Sequence, residues 1–157
     1  MARPAPVLVQ RGLLLDAQRA PAPDRIAELV AFQRSGRRVL LLARQPQRWR
    51  PTRNSMDSDL SLQQQLHQAF RRAGAELDGT LYLATGLFAR RQNRADELAQ
   101  AARRYGIETG QLCAVGADST LLESIVQSGG RALNIGPTPI AGASQHRHLQ
   151  AALLALA

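Results

Sequence analysis

Short, continuous apolar runs alternate along this chain with longer segments in which apolar residues recur every three or four positions. Continuous runs are typical of strands buried on both faces, and the longer spacing is typical of amphipathic helices. The pattern predicts five strands, at Val7–Val9, Val39–Ala43, Thr80–Ala84, Gln111–Val115 and Arg131–Ile135. It predicts five helices, at Pro21–Ser35, from residue 59 or 61 to about Ala73, and at Arg94–Tyr105, Asp118–Ser128 and His148–Ala157.

Residues with special backbone preferences support these boundaries. Pro23 suits the first turn of a helix, and Asp59 or Ser61 is suited to cap the second helix. Gly36 follows the first helix, as glycine does where a helix ends in the left-handed conformation. The polar stretch from Gln45 to Asp59, which contains two prolines, is predicted to be a loop.

Strands that alternate with helices predict an α/β fold, a Rossmann-like open parallel sheet of about five strands with helices on both faces. The chain is predicted to form a single domain, residues 1–157, with a core at about 7–135 and a loop and C-terminal helix at 136–157. In such sheets ligands bind at the carboxyl ends of the strands, near the point where the strand order reverses. Functional residues are therefore expected just after Val9, Leu42, Ala84 and Val115.

The composition excludes several classes of protein. Cys113 is the only cysteine, so the chain has no intrachain disulfide and no multi-cysteine zinc site. It contains neither a stretch of roughly 20 apolar residues nor a signal-peptide pattern, and a cytoplasmic location without membrane contact is predicted on these grounds. His146 and His148 have no third ligand nearby and are expected in a solvated tail. The leucines of the last helix are expected to pack on the sheet or to pair with a second copy, which leaves a homodimer open.

Arginine provides all of the positive side-chain charge. The chain has 20 arginines, no lysine and a net charge of +8. Such a composition is typical of a GC-rich bacterial genome, because arginine codons are GC-rich. It alternatively indicates a surface for nucleic acid or another anion. The arginines come in pairs spread over several predicted helices and loops, without a recognition motif or an aromatic stacking platform, so a nucleic-acid-binding module is the second alternative only.

Several segments of the chain resemble the haloacid-dehalogenase (HAD) phosphatases. Residues 21–29 (PAPDRIAEL) and 35–43 (SGRRVLLLA) are similar to the first helix and second strand of that superfamily. Residues 73–82 (AGAELDGTLY) are similar to its third strand in the histidinol-phosphate and heptose-bisphosphate phosphatase branch. Residues 103–107 (RRYGI) and 113–116 (CAVG) resemble the approach to the last metal motif of that branch. The resemblance covers about Val7 to Ile135 and implies a HAD-like fold without a separate cap domain.

The resemblance also implies a set of catalytic groups. In that family an aspartate after the first strand attacks phosphorus, and a second aspartate two residues later protonates the leaving group. A serine or threonine after the second strand and a lysine after the third hold the phosphoryl oxygens. Acids after the fourth strand bind Mg²⁺, which neutralises the charge that the nucleophile and the phosphate share.

None of these residue types stands at the matching positions of this chain. The positions fall, in chain order, on Gln10, Gly12 (or Leu13), Ala43, Gln92, Ala117 and Leu121. The zinc-binding loop of many members of the branch is also missing, since residues 85–92 contain no cysteine or histidine. Asp118 stands one residue from the metal position, at a helix start that turns its side chain by about 100°. Six independent losses predict a pseudophosphatase with no catalytic residue and no cofactor.

Two roles are open for such a protein. It would bind an anionic small molecule if Arg11, Arg44 and Arg91, which are expected near the old phosphate site, hold phosphate as arginine does elsewhere. It would bind a protein partner if the fold now serves as an interaction surface. Arginines that are only solvated at the strand ends would give the same sequence pattern, so the sequence does not decide whether these arginines bind an anion.

The first alternative is an active, Mg²⁺-dependent HAD phosphatase that acts on a small sugar phosphate through a rebuilt site. Its carboxylates would come from Asp16, Asp57, Asp59 or Asp118, with Asp16 and Asp118 as the candidate metal ligands. Acids two residues apart, such as Asp57 and Asp59, more often cap the following helix.

Overall fold

The computed structural model describes residues 5–45, 53–85 and 90–156 of the 157-residue chain. The strands in this part are β1 (Val7–Gln10), β2 (Val39–Arg44), β3 (Thr80–Leu83), β4 (Cys113–Gly116), β5 (Arg131–Asn134) and β6 (Ser144–Gln145). The α-helices are α1 (Pro23–Arg34), α2 (Arg53–Arg72), α3 (Arg91–Arg104), α4 (Ser119–Gln127) and α5 (Leu149–Ala155). Short 3₁₀ helices lie at Arg11–Leu14 and Thr109–Gln111.

The strands form one parallel sheet in the order β3-β2-β1-β4-β5-β6. Val9 of β1 is level with Leu41 of β2 on one side and with Val115 of β4 on the other. The chain builds outward from β1 to β3, then returns to the centre for β4, so the order reverses between β1 and β4. The predicted α/β open sheet is confirmed. It has six strands rather than about five, because the two-residue strand β6 pairs with β5.

Alternate strand side chains face opposite layers of helices. Val7 and Val9 belong to the apolar cluster with α1, α2 and α5, whereas Leu8 belongs to the cluster with α3 and α4. Each layer contributes fully buried leucines, such as Leu29 of α1 and Leu122 of α4. The prediction of helices on both faces is therefore confirmed, and polar chemistry is left to the ends of the strands.

Helix α2 begins earlier than the sequence indicates. The sequence predicts a loop up to Asp59, but the helix starts at Arg53, so the loop prediction is wrong for residues 53–59 and the cap predicted at Asp59 or Ser61 is wrong as well. The apolar spacing that identifies a buried helix is absent in this stretch, and Ser58 and Leu60 of α2 are exposed. Residues 46–52 lie outside the described part of the chain.

The C-terminal helix packs against the domain, as its apolar spacing predicts. Leu149 and Leu153 of α5 are buried in the same cluster as α1. His148 caps α5 by accepting the backbone N–H of Ala151 at its Nδ1, over 3.1 Å. Among the described helices, none combines the length and the apolar character that crossing a membrane requires.

Candidate functional site

Polar side chains stand at the carboxyl ends of the three central strands. β1 ends at Gln10, β2 ends at Arg44, and Asp118 follows β4 by two residues. The chain leaves β1 toward the layer of α1 and leaves β4 toward the layer of α4, so the two connections diverge between these strands. A crevice at this point is where open parallel sheets bind their ligands.

The side chain of Gln10 occupies this crevice. Its Oε1 accepts the backbone N–H of Ala117 over 2.7 Å and the backbone N–H of Asp118 over 2.9 Å. Gly116 lies directly beside it, since a Cβ built on that glycine would be only 2.7 Å from Oε1 of Gln10. The amide oxygen therefore fills the space between the ends of β1 and β4 and satisfies two donors that a ligand would otherwise meet.

Arg44 and Asp118 close the same crevice from above β1. Nε of Arg44 donates to Oδ2 of Asp118 over 2.5 Å, and Nη2 donates to Oδ1 over 3.0 Å. Because β1 lies between β2 and β4, this two-point ion pair spans the end of the central strand. Asp118 is also the N-cap of α4, where Oδ1 accepts the N–H of Leu121. We call Gln10, Arg44 and Asp118 the switch-point clasp.

The clasp keeps the Asp118 carboxyl ionised. Burial by itself would raise the pKa of Asp118, but the hydrogen bonds from Arg44 and from the N–H of Leu121, together with the Arg44 charge, outweigh it. The net result is a pKa of Asp118 below its ordinary value. A carboxylate held in this way is a poor general acid, because a general acid needs a pKa near the working pH.

Asp118→Asn is expected to remove part of the acid sensitivity of folding, while asparagine still caps α4. A lowered folded-state pKa contributes stability above the unfolded value of about 3.9, and the contribution is lost as the pH falls through the folded value. The Arg44 side chain is 52% exposed, so water screens the pair and the contribution is about 1 kcal/mol. Urea unfolding between about pH 7 and pH 3 should show the wild type and the variant converging in acid. If the stability of the two proteins differs by the same amount at about pH 7 and at about pH 3, this prediction is contradicted.

Arg11 lies in a second polar cluster, next to the crevice. Its Nη2 donates to Oδ1 of Asp59 over 2.6 Å, and its Nη1 donates to Oε1 of Gln63 over 3.0 Å and to the Tyr82 hydroxyl over 3.3 Å. The Tyr82 hydroxyl donates to the other Asp59 oxygen over 3.0 Å. Burial, followed by the hydrogen bond to Asp59, raises the pKa of Tyr82, so the phenol remains a donor. Gln63 also donates to the hydroxyl of Thr80.

This cluster joins the first 3₁₀ helix, α2 and β3, and the sequence pattern does not predict it. The sequence predicts that Asp59 caps a helix, and Tyr82 stands between two leucines of a strand. The one signal was the hydroxyl of Tyr82, because a buried tyrosine oxygen normally has a hydrogen-bond partner.

The described side chains do not fit a Mg²⁺ ion at the crevice. Mg²⁺ needs carboxylate and water oxygens in near-octahedral geometry. Among the described side chains, the carboxylate at the crevice is that of Asp118, and both of its oxygens are engaged by Arg44. Asp16 lies in an exposed turn, where Oδ1 accepts the N–H groups of Gln18 and Ala20. Within residues 5–45, 53–85 and 90–156, no three acidic, histidine or cysteine residues are grouped to hold a metal.

The remaining predicted site residues are dispersed. Ala43 of β2 and Leu121 of α4 are both buried in the core. Gly12 is exposed in the first 3₁₀ helix. Gln92 is exposed on α3, where its amide donates to Asp96 within the same helix. The side chains of Asp57 and Arg91 lie outside the described residues.

The arginines predicted to bind an anion are placed differently from one another. Arg11 and Arg44 both lie near the crevice, but each is already paired with a carboxylate of the chain, Asp59 and Asp118 respectively. An incoming anion would have to compete with these partners. Anion binding by Arg11, Arg44 and Arg91 therefore stays a prediction.

Solved structures identify the fold. No protein-family model matches the chain, and no curated protein matches it at a significant level. The chain is similar to D,D-heptose 1,7-bisphosphate phosphatase from B. bronchiseptica, whose crystal structure contains magnesium and phosphate, with a TM-score of 0.71, 17% identity and 96% of each chain covered. It is also similar to D,D-heptose 1,7-bisphosphate phosphatase from Burkholderia thailandensis, with a TM-score of 0.68, 16% identity and 96% of each chain covered. At such identity the likeness shows the fold alone, so the HAD-phosphatase fold implied by the sequence resemblance is confirmed.

Proposed function

We propose that this chain is a pseudophosphatase, a protein with the HAD-phosphatase fold that does not hydrolyse phosphate esters. The observation that carries the proposal is the position of Gln10. Its amide oxygen accepts the N–H groups of Ala117 and Asp118 at the end of β1, where the fold implies a nucleophilic aspartate. A neutral amide neither attacks phosphorus nor supplies the charge that a magnesium ion requires.

The charges around the crevice support the same proposal. A phosphoryl group arriving there would meet Arg44 already neutralised by Asp118, and that carboxylate would repel it. The similar enzyme from B. bronchiseptica was crystallised with magnesium and phosphate. In this chain the clasp fills the corresponding strand ends with side chains that pair with one another, and among the described residues there it leaves neither ligand a set of free oxygens or donors.

The active alternative would have to draw on Asp16, Asp57, Asp59 or Asp118. Asp59 is held by Arg11 and Tyr82, and Asp16 caps a turn. Of the two roles left to a pseudophosphatase, a protein partner requires no rearrangement of these pairs, whereas an anion at the crevice does. A cytoplasmic location is part of this proposal.

Phosphate release tests the proposal directly. With a panel of sugar phosphates and one aryl phosphate, with and without Mg²⁺, the purified protein should release no more phosphate than a blank without protein. D,D-heptose 1,7-bisphosphate phosphatase from B. bronchiseptica is the matched positive control, because it has the same fold. Enzymes accelerate such reactions by about 10⁶-fold or more, so even a strongly impaired site would be visible. Circular dichroism on the same sample shows that the protein is folded.

Turnover that depends on Mg²⁺ and survives a second purification would overturn the proposal. In that case Asp118→Asn and Asp16→Asn identify the source. Loss of activity in either variant would assign the carboxylate, and activity unchanged in both would point to Asp57 or Asp59.

A further inference from the structure

Arginine pairs that are far apart in the sequence converge at the amino edge of the sheet. The described strands are all parallel, so each helix that follows a strand returns to the edge where the strands begin. α1 ends at Arg34, and Arg37 and Arg38 then lead into β2. α2 ends at Arg71 and Arg72, at the same edge.

Helix α3 and strand β5 contribute three more arginines. Arg103 and Arg104 are the last residues of α3. Arg131 begins β5, level with Cys113 at the start of β4, which is in turn level with Val7 at the start of β1. We call the three arginines of this paragraph and the five of the preceding one the arginine edge.

Contacts link four of these arginines to neighbouring elements of this edge. Nη2 of Arg34 donates to the carbonyl oxygen of Ala73, at the end of α2, over 3.1 Å. The guanidinium of Arg38 lies over the ring of Tyr105, directly after α3, at 5.0 Å from its centroid. Burial raises the pKa of the Cys113 thiol, and the charges of Arg131 and Arg37 both act on it in the opposite direction.

The arginine edge has too few carboxylates to neutralise it. The described loops at this edge contain three, Glu76, Asp78 and Glu108, against seven arginines besides Arg38, which leaves an excess of four positive charges. One of the three, Asp78, turns back to accept the N–H of Val39.

Helix termini alone do not account for this arrangement. A cation near the carboxyl end of a helix stabilises it, because the helix dipole is negative there. That explains one arginine at the end of each helix, such as Arg34. It also explains Arg37, whose Nη1 donates to the carbonyl oxygen of Leu156 at the end of α5, but it does not explain Arg131, which begins a strand.

We propose that the arginine edge binds duplex nucleic acid through its phosphate backbone, without reading the bases. Arginine presents a planar fork of donors that matches phosphate oxygens. From β3 to β5 the edge spans four strand spacings, about 19 Å, over which a duplex carries about ten phosphate charges. One face of the Tyr105 ring is covered by Arg38, which makes this ring a poor stacking platform for single-stranded bases.

A lipid surface fits the same edge less well. Proteins that lie on membranes combine basic residues with a cluster of large apolar side chains that enter the acyl region. In the described residues the exposed large apolar side chains are Leu60, on α2, and Leu154, near the end of α5, and they do not form such a cluster.

Fluorescence anisotropy with a labelled mixed-sequence duplex of about 20 base pairs, at about 50 to 200 mM salt, tests the proposal. The wild-type protein should bind, with a logarithmic affinity that falls linearly with the logarithm of the salt concentration. Arg71→Gln/Arg72→Gln should bind at least about tenfold more weakly at about 100 mM salt, and its salt slope should be smaller by about two. The matched control is Arg19→Gln/Arg147→Gln, which removes the same charge from exposed residues at the carboxyl edge and should lose less than about twofold.

Four results would overturn the proposal. These are no duplex binding at low salt, equal losses in the two double variants, tighter binding to vesicles containing anionic lipid than to the duplex, and tighter binding to polyglutamate. Circular dichroism of both variants separates a binding defect from unfolding. Because the arginine edge lies opposite the switch-point clasp, the phosphate-release result bears on the pseudophosphatase proposal alone.

Discussion

Replacing Arg11 with methionine should lower the free energy of unfolding by about 3 kcal/mol and the Tm by about 6 to 12 °C. Arg11 is 9% exposed, and the Asp59 carboxylate that it holds has a side chain 17% exposed. Methionine keeps an unbranched stem in place but leaves that carboxylate buried beside Tyr82 with no counter-charge. An uncompensated buried charge is among the most destabilising single changes in a protein. Urea and thermal unfolding, followed by circular dichroism, measure the effect.

Two further variants make this result specific. Arg44→Met breaks an ion pair whose arginine is half exposed, and Asp118 keeps the N–H of Leu121 at the start of α4 as a donor, so the change should cost only about 1 kcal/mol. Arg11→Met/Asp59→Leu removes both charges of the buried pair and should regain most of the loss, since apolar residues often replace such pairs without cost. If Arg11→Met costs no more than Arg44→Met, the cluster around Arg11 does not hold the first 3₁₀ helix, α2 and β3 together.

Sequence periodicity places the elements whose burial is simple. β2 contains five consecutive buried apolar residues, and the sequence pattern predicts its end to within one residue. The sequence pattern does not predict the start of α2, because the first turns of this helix have no apolar face. Asp59 of α2 contacts Arg11, which is 48 residues away in the chain. A local pattern carries no information about such a contact.

For the candidate site, too, the sequence predicts which residues stand at the strand ends but not which of them contact one another. Strand ends are visible in the sequence, so Gln10 and Ala117 could be assigned to the crevice before the structure. The hydrogen bond that joins them crosses 107 residues, and the ion pair of Arg44 with Asp118 crosses 74. Both depend on the sheet order, which places β1 between β2 and β4.

Charge shows the effect of topology most clearly. In the sequence the arginine pairs are spread over helices and loops, which argues against a basic surface. Parallel crossovers return every helix to one edge, so the pairs at the ends of α2 and α3 lie at the same edge, although the two helices pack on opposite faces of the sheet. The carboxyl edge neutralises Arg11 and Arg44 with carboxylates, whereas the amino edge keeps a net positive charge. The two proposals therefore concern opposite ends of the same sheet.

Gly116→Ala should destabilise the protein by about 2 to 3 kcal/mol. The new Cβ would lie 2.7 Å from Oε1 of Gln10, closer than Cβ atoms approach other atoms in proteins, and 3.2 Å from the Cβ of Gln10, which is tighter than most such contacts. Gln10 would have to leave the crevice, and the N–H groups of Ala117 and Asp118 would lose their acceptor. Overpacking costs about 1 to 3 kcal/mol, and a lost hydrogen bond to a partly buried donor adds to it. Urea unfolding at neutral pH gives the value.

A double-mutant cycle shows whether Gln10 itself causes this loss. Gln10→Ala removes the oxygen with which the new methyl group collides, so Gly116→Ala should cost less than about 1 kcal/mol in that background. The coupling energy should therefore exceed about 1 kcal/mol, and strictly additive effects would mean that Gln10 does not fill the crevice. Gln10→Ala should also release no phosphate, because opening the crevice supplies neither a nucleophile nor a carboxylate for Mg²⁺. Activity in that variant would show that Gln10 merely blocks a working site, and it would return the search for a catalytic carboxylate to Asp118.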